Sequence, residues 1–328
     1  MRNKDFIVRF AGEGGGGLVT SAELLAQVTA QVGYHVKTFV TFPSQIMGGP
    51  TFAQARISTD PVLSYGDELD VLVAFDREAY DTHQEEVRDG GVIVYNSGDF
   101  TLEEDGKSFG MPIDDLAKST GNARAANMVL LGAISHLVNM PEHYLPEFVT
   151  KRFTRGRPGD EEIIKANIMA LSLGREEAKK SGFSLGDLEE PNPPGVDQIM
   201  IKGNDALSIG AIAAGVELFV GYPISPATTI LQYMERHLIG PGKFVYQASS
   251  EIESINAIVG GGYAGKRSMT STAGPGFSLM SEGLGMAWMA EIPVVVVDVQ
   301  RGGPATGLPT KTEQSDLMSC MYPAHGDV

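Results

Sequence analysis

The stretch from Gly221 to Gly303 constrains the fold more than any other part of the chain. It reads Gly-Tyr-Pro-Ile-Ser-Pro, then Ser-Ser-Glu-Ile-Glu, then Ser-Thr-Ala-Gly-Pro-Gly, then Val-Asp-Val-Gln-Arg-Gly-Gly. Each piece follows a short apolar run directly, and the pieces recur at intervals of about 25 residues, the length of one strand plus one helix. That rhythm predicts an α/β fold with a mostly parallel sheet, its strands at Val216–Val220, Phe244–Gln247, Ser268–Ser271 and Val294–Val297. In an open parallel sheet the segments leaving the carboxyl ends of the strands converge on one crevice, where ligands bind. Glu251 follows the second of these strands and Arg301 the fourth.

At 328 residues the chain is too long for one ordinary domain, so two α/β domains are expected. A hydrophobic content of 42% supplies real cores, and a net charge of −16 argues against nucleic acid or an anionic membrane as partner. Cys320 is the single cysteine, which excludes a disulfide within the chain and any cysteine-based zinc or iron–sulfur site. The six histidines show no metal-ligand spacing, and no metal site is expected in this chain. No signal-peptide stretch opens the sequence and no run approaches a membrane span, so a cytoplasmic setting is expected.

Upstream, Phe6–Phe10 reads as a strand leading into Ala-Gly-Glu-Gly-Gly-Gly-Gly and a helix through Ala30. A strand, a glycine loop and a helix can present backbone N–H groups to a phosphate, or can simply let helix and strand pack closely. Strands are expected at Val36–Val40, Thr51–Ser58, Val71–Phe75 and Gly91–Tyr95, and helices at Arg77–Arg88, Ala123–Val138 and Glu161–Leu173. The loop Thr41–Pro50 carries Ser44, Gln45, Ile46 and Met47 between rigid Pro and Gly residues. An apolar loop tip needs cover, and reaching into a neighbouring site is one way to find it. From Lys179 to Gly195 the composition shifts to Ser, Gly, Glu and Pro, as in a stiff exposed linker. Ile199 begins a strand-like run before a helix opens at Asn204. The chain stops at His-Gly-Asp-Val where another strand is expected, which suggests a fragment of a longer subunit.

Within the constellation, Tyr222 and Pro223 start a rigid turn, and Ser225 and Thr228 can cap the helix that follows. Glu251 and Glu253 are two apart near a helix start, so they face different ways. Either can serve the helix dipole. A carboxyl on the inward face is a candidate acid, because burial favours the neutral, proton-donating form. Arg301, flanked by glycines, can grip a carboxylate at two points or make an ordinary ion pair; Lys311 and Glu313 are weaker candidates.

These motifs, with Gln-Arg-Gly-Gly-Pro-Ala-Thr-Gly-Leu-Pro-Thr-Lys-Thr-Glu-Gln-Ser-Asp, resemble the α subunit of 2-oxoacid:ferredoxin oxidoreductases, most of all the 2-oxoglutarate type. The N-terminal half, with Phe-Pro-Ser-Gln-Ile-Met-Gly-Gly-Pro, resembles the γ domain that some members fuse ahead of α. The resemblance implies a γ-type domain over 1–190, a Pro-rich linker over 191–199 and a thiamine diphosphate pyrimidine-binding domain over 200–328. It makes Glu251 the acid facing N1′ of the aminopyrimidine, with Tyr222 and Pro223 beside the cofactor. Arg301 would grip the substrate carboxylate, with Ser225 and Thr228 meeting the keto acid, although pyruvate enzymes carry Thr at the position of Ser225. The implied reaction is oxidative decarboxylation of a 2-oxoacid to acyl-coenzyme A and CO2, with electrons passed to ferredoxin.

The Gly-Asp-Gly…Asn motif for diphosphate and Mg2+ and the cysteines for [4Fe-4S] clusters are missing here. In the family both belong to a β subunit, which implies half an active site in this chain and an (αβ)2 assembly. Two alternatives stay open. One is a non-catalytic Rossmann-like nucleotide-binding module using Gly12–Gly17; the other is the same chemistry on branched-chain or aryl 2-oxoacids.

Overall fold

The computed structural model describes residues 3–13, 17–41, 49–191, 198–304 and 313–323. They form two compact units, Met1–Met200 and Ile201–Val328. The expected loop residues Ser44, Gln45, Ile46 and Met47, and Lys311, lie outside the described residues.

The first unit runs β1 (Asp5–Glu13), α1 (Leu18–Val32), β2 (His35–Val40), β3 (Pro50–Ser58), β4 (Leu69–Ala74), α2 (Arg77–His83), β5 (Val87–Asn96), β6 (Ser108–Met111), α3 (Ile113–Ser119), α4 (Ala126–Leu137), α5 (Tyr144–Phe153) and α6 (Asp160–Ser181). Its sheet has the order β2-β3-β1-β4-β5-β6, antiparallel on either side of β3 and parallel from β1 onward. Alternation along β1 sends Phe6, Val8 and Phe10 into the larger core with α1 and α4, and Ile7 and Ala11 into a smaller one with Ala79 and Tyr80 of α2. Full burial of side chains such as Phe10 or Leu130 contributes roughly 1.5–3 kcal/mol each.

Two expectations are corrected here. The helix expected through Arg88 stops at His83, because Val87 is drawn into register with Leu69 and Arg88 pairs with Asp70 at 2.5 Å. The linker composition from Lys179 begins inside α6, and the chain beyond it is bound to the first unit. Leu185 N–H donates to Leu137, Leu188 bridges Asn3, and Phe183, Leu185 and Leu188 pack on the core.

Helices α4 and α6 touch backbone to backbone. A Cβ at Gly174 would lie 1.8 Å from the Val129 carbonyl oxygen, and one at Gly132 would lie 2.0 Å from that of Leu171. No side chain fits without parting the helices.

The second unit runs α7 (Gly203–Ala213), β7 (Leu218–Gly221), α8 (Thr228–His237), β8 (Phe244–Gln247), α9 (Glu251–Tyr263), β9 (Ser268–Thr272), α10 (Gly274–Leu279), α11 (Ser281–Met289), β10 (Val295–Asp298) and α12 (Leu317–Met321). The run at Ile199 forms no strand. The sheet has the order β10-β9-β7-β8 and every pairing is parallel. One face packs α8 through Ile230, Leu231 and Met234 against Phe219 and Met269; the other packs α9 through Ile255, Ile258 and Val259 against Val220. The chain goes from β7 outward to β8, then crosses back to β9 on the other side of β7. That reversal opens a crevice at the carboxyl ends of β7 and β9.

Gly174→Ala is expected to lower stability by about 1–3 kcal/mol, the usual cost of overpacking. Chemical denaturation should show this, while the exposed neighbour Ser172→Ala changes the midpoint little. Equal midpoints for both variants would contradict the backbone contact between α4 and α6.

Candidate active site

The crevice of the second unit collects the residues singled out in the constellation. Glu251 opens α9 and is only 7% exposed, whereas Glu253, one step round the helix, is half-buried and fully engaged. Ser250 caps α9 by accepting from Glu253 N–H at 3.1 Å. The Glu253 carboxylate in turn accepts from Ser249 N–H and Oγ, both at 2.6 Å, and from Tyr246 at 2.9 Å. The hydrogen bonds from Ser249, then that from Tyr246, hold Glu253 below the usual carboxylate range. Glu253 is thus spent on the helix start, and Glu251 is not: among the described residues no donor is bonded to its carboxyl.

Arg301 stands across from Glu251, close enough for the carboxylate to act on it electrostatically. Burial pushes the guanidinium below its ordinary value, and Glu251 opposes that shift. Arg301 Nη1 donates to the Ser225 carbonyl at 3.0 Å, while Nε is buried with no partner among the described residues. One corner of the guanidinium is therefore anchored and its Nε edge is left for something else.

Tyr222, Pro223 and Ser225 follow β7 as expected, with Tyr222 38% exposed. The helix after them starts at Thr228 with Ala227 as its cap residue and no side-chain cap, so neither Ser225 nor Thr228 performs the capping expected of it. Asn204 of α7 braces this turn instead, donating to the Pro226 carbonyl at 3.0 Å and to Thr229 Oγ1 at 2.8 Å. Glu313 is exposed.

The sequence did not single out a carboxyl pair behind Arg301. Asp298 ends β10 and meets Asp316, which also accepts a short hydrogen bond from Gln300. Asp298 Oδ1 and Asp316 Oδ2 are buried with no N–H or O–H donor among the described residues, and the two carboxyls answer each other by sharing one proton. Burial first, then Asp316, pushes Asp298 up to about 7. Burial works against ionisation of Asp316 as well, but the hydrogen bonds from Asp298 and Gln300 outweigh it and hold Asp316 below its usual range. Cys320 donates its thiol to Asp298 Oδ2 at 3.4 Å, and burial with that contact pushes the thiol up to about 11. An acid at a strand end and another eighteen residues later carry no local signal; only the return of the chain brings them together.

In the first unit, β1 extends through Glu13, so Gly12 of the expected glycine loop lies in the strand, and there the glycine serves close packing. A Cβ there would lie 2.8 Å from Phe75 Cβ and 3.1 Å from Asp76 Oδ2. Asp76 itself takes the N–H groups of Glu13 and Ala79, each at 2.8 Å, the kind of donor a phosphate would use. The adjoining 430 Å³ cavity is lined by Glu13, Asp76, Glu78 and Asp99 against Arg77 and His83, a poor setting for an anion. Residues 14–16 lie outside the described residues.

Two family models match the chain: pyruvate ferredoxin/flavodoxin oxidoreductase over residues 7–177, and pyruvate flavodoxin/ferredoxin oxidoreductase, thiamine diphosphate-binding, over residues 209–327. The 2-oxoglutarate oxidoreductase subunit KorA of Mycobacterium tuberculosis is 32% identical over all of this chain and 55% of its own length. The 2-oxoglutarate synthase subunit KorA of Methanocaldococcus jannaschii is 50% identical over 39% of this chain and 35% of its own. A solved 2-oxoglutarate:ferredoxin oxidoreductase from Magnetococcus marinus, with 2-oxoglutarate, coenzyme A and succinyl-CoA bound, superposes with a TM-score of 0.90. It is 43% identical over 99% of this chain and 57% of that one. The chain thus spans little more than half the length of the full-length relatives it matches.

The shared proton sets a pH dependence. The folded state raises Asp298, so its stabilising contribution is complete below the unfolded carboxyl value and is lost as pH rises through about 7. Asp316 is lowered, so its contribution is lost instead as pH falls through its depressed value. Hydrogen exchange of α12 amides, corrected for intrinsic rates, should show more protection at pH 5–6 than at pH 8. Asp298→Asn should flatten the difference; a flat profile in the parent chain would contradict the shared proton.

Proposed function

Because the chain belongs to the pyruvate ferredoxin/flavodoxin oxidoreductase family, we propose that it supplies the α side, with a fused γ-type domain, of a 2-oxoacid:ferredoxin oxidoreductase. The favoured substrate is 2-oxoglutarate, the compound named for its relatives from three organisms. The observation that carries the reading is the meeting of a buried carboxyl with no hydrogen-bond donor among the described residues, Glu251, and a half-anchored guanidinium, Arg301, at one crevice of a parallel sheet.

The residues present fit thiamine diphosphate. Glu251 lies beside Gly276 at the start of α9, with its carboxyl uncommitted among the described residues, as an acid directed at N1′ of an aminopyrimidine needs to be. Tyr222 and Pro223 would line the ring's place. When bound, the cofactor supplies the carbon nucleophile and the electron sink that decarboxylation of a 2-oxoacid requires. Glu251 gives and takes back the proton at N1′. Arg301 Nε, buried and without a partner among the described residues, completes a two-point grip on the substrate carboxylate, while the Ser225 carbonyl keeps the guanidinium from turning. Ser225 and Thr228 offer hydroxyls to the keto acid from the turn before α8 and its first residue.

The remaining parts fall to a β subunit: the diphosphate and Mg2+ site, the [4Fe-4S] clusters and the path to ferredoxin, with coenzyme A as acyl acceptor and (αβ)2 as the assembly. The surface of the second unit supports a partner. Phe244 on the edge strand is 61% exposed, Tyr263 83%, and Met286 and Met289 of α11 53% and 71%. Apolar groups that crowd one unit in this way mark an interaction surface. Among the described residues no helix is long and apolar enough to cross a membrane; we place the enzyme in the cytoplasm.

The deciding variant is Glu251→Gln in the complex with the β subunit. It should bind thiamine diphosphate nearly normally yet lose about 10²–10⁴ in kcat and slow exchange of the cofactor's C2 proton. Glu253→Gln should spare the exchange, and normal exchange in both variants would end the assignment. Arg301→Lys should cost about 1.5–3 kcal/mol in 2-oxoacid binding, because an ammonium cannot make a planar two-point grip. Its effect on cofactor affinity should be smaller; equal losses would mark Arg301 as structural. The chain alone should be colourless and inactive.

A further inference from the structure

Gly276 sits inside α10, where glycine is the wrong residue for helix formation by about 1 kcal/mol relative to alanine. Its backbone does not adopt the left-handed conformation that would call for glycine. Space is the reason it is there. A Cβ at Gly276 would lie 2.0 Å from Thr272 Oγ1, 2.7 Å from Glu251 Cγ and 2.8 Å from Glu251 Oε1. The room that any other residue would fill is occupied by the Glu251 side chain, coming from α9, and by the Thr272 hydroxyl at the end of β9.

We propose that Gly276 is the positioning residue for Glu251, the bare surface against which an otherwise unanchored carboxyl is held. Glu253 is fixed by hydrogen bonds from Ser249 and Tyr246. Glu251 has no such bond among the described residues, so steric contact decides where its carboxyl lies. A hydrogen bond would fix the carboxyl more firmly but would also commit its oxygens and bias its protonation. A wall of Cα and a neighbouring hydroxyl fixes direction while leaving the proton free to move. Both requirements meet at Gly276, because β9 and α9 converge on its backbone and a methyl group would remove Glu251 from its place. Another tight glycine, Gly283 of α11, faces Ile255 one turn further along α9: a Cβ there would lie 2.6 Å from Ile255 Cγ1, and its three nearest atoms all belong to that apolar side chain.

This rests on the reading of Glu251 as the acid toward the aminopyrimidine, so the experiment separates the two. Gly276→Ala, Thr272→Ala, the double variant, Gly283→Ala and Glu251→Gln are each assembled with the β subunit. Melting temperature, thiamine diphosphate affinity, the 13C carboxyl resonance of labelled Glu251 and the turnover number are then measured. Gly276→Ala should shift the Glu251 resonance and slow turnover about ten- to a hundredfold, the range expected for a misplaced catalytic group. KM for the 2-oxoacid should stay within about twofold, since Arg301 is untouched. The double variant removes the 2.0 Å contact with Thr272 and should recover melting temperature, yet stay at least about tenfold slower than Thr272→Ala, with the resonance still displaced. Gly283→Ala should lower melting temperature and spare turnover.

Turnover that recovers with melting temperature in the double variant would reduce Gly276 to packing between β9 and α10 and overturn the proposal. So would an unmoved resonance in Gly276→Ala. If Glu251→Gln turns over normally, it is the reading of Glu251 as acid that fails. A displaced resonance in Gly276→Ala would still stand as evidence that Gly276 sets the position of that carboxyl.

Discussion

Everything at the candidate site depends on one hydrogen bond, from Arg301 Nη1 to the carbonyl of Ser225. It joins the segment after β10 to the turn after β7, two strands that are not neighbours in the sheet. Parallel pairing makes the contact attainable, since all four strands end on the same side. The return of the chain from β8 across β7 to β9 makes room beneath it. Without that bond a long side chain at a strand end would sample many rotamers, at an entropic cost of up to about 2 kcal/mol when it was finally ordered. With it, the guanidinium plane is set before any ligand arrives.

Three carboxyl arrangements within this small region show how differently one fold treats one functional group. Glu253 is saturated with donors and serves the start of α9. Asp298 and Asp316 are pressed together and share a proton, which fastens the segment after Arg301 to the end of β10. Glu251 is buried with neither remedy among the described residues. A protein satisfies buried polar groups nearly everywhere, and the places where it does not are where chemistry is expected. Arg301 Nε, buried with no partner among the described residues, is such a place, and Glu251 acts on that guanidinium electrostatically.

Much of this was legible in the sequence because it is local. Strand β8 falls at Phe244–Gln247, as its apolar run and flanking turn indicated. Strand β7 starts two residues later than expected, because Val216 is taken up closing the end of α7, donating its N–H to the Ala211 carbonyl. That Glu251 and Glu253 face different ways followed from helix periodicity alone. What escaped was non-local. Nothing in the run of residues before Arg88 reveals that Val87 will pair with Leu69, or that Asp316 will return to Asp298. Nothing in Ala-Gly-Pro-Gly sets Gly276 apart from Gly274, and its meaning appears only with the side chains from β9 and α9 that occupy the space beside it.

The surface of the second unit carries the argument beyond the single chain. The whole chain bears a net charge of −16, so a partner docking on it works against a repulsive background unless it is itself basic. What the second unit offers instead is apolar: Phe244 and Tyr246 stacked on the edge strand, and the methionines of α11. Methionine adapts its shape to whatever covers it, and aromatic rings contribute area at low entropic cost. Such a surface is suited to a tight, dry contact whose affinity depends little on salt. The proposed division of labour needs that contact, because a cofactor held at one end by Glu251 and at the other by a second chain tolerates no slack between them.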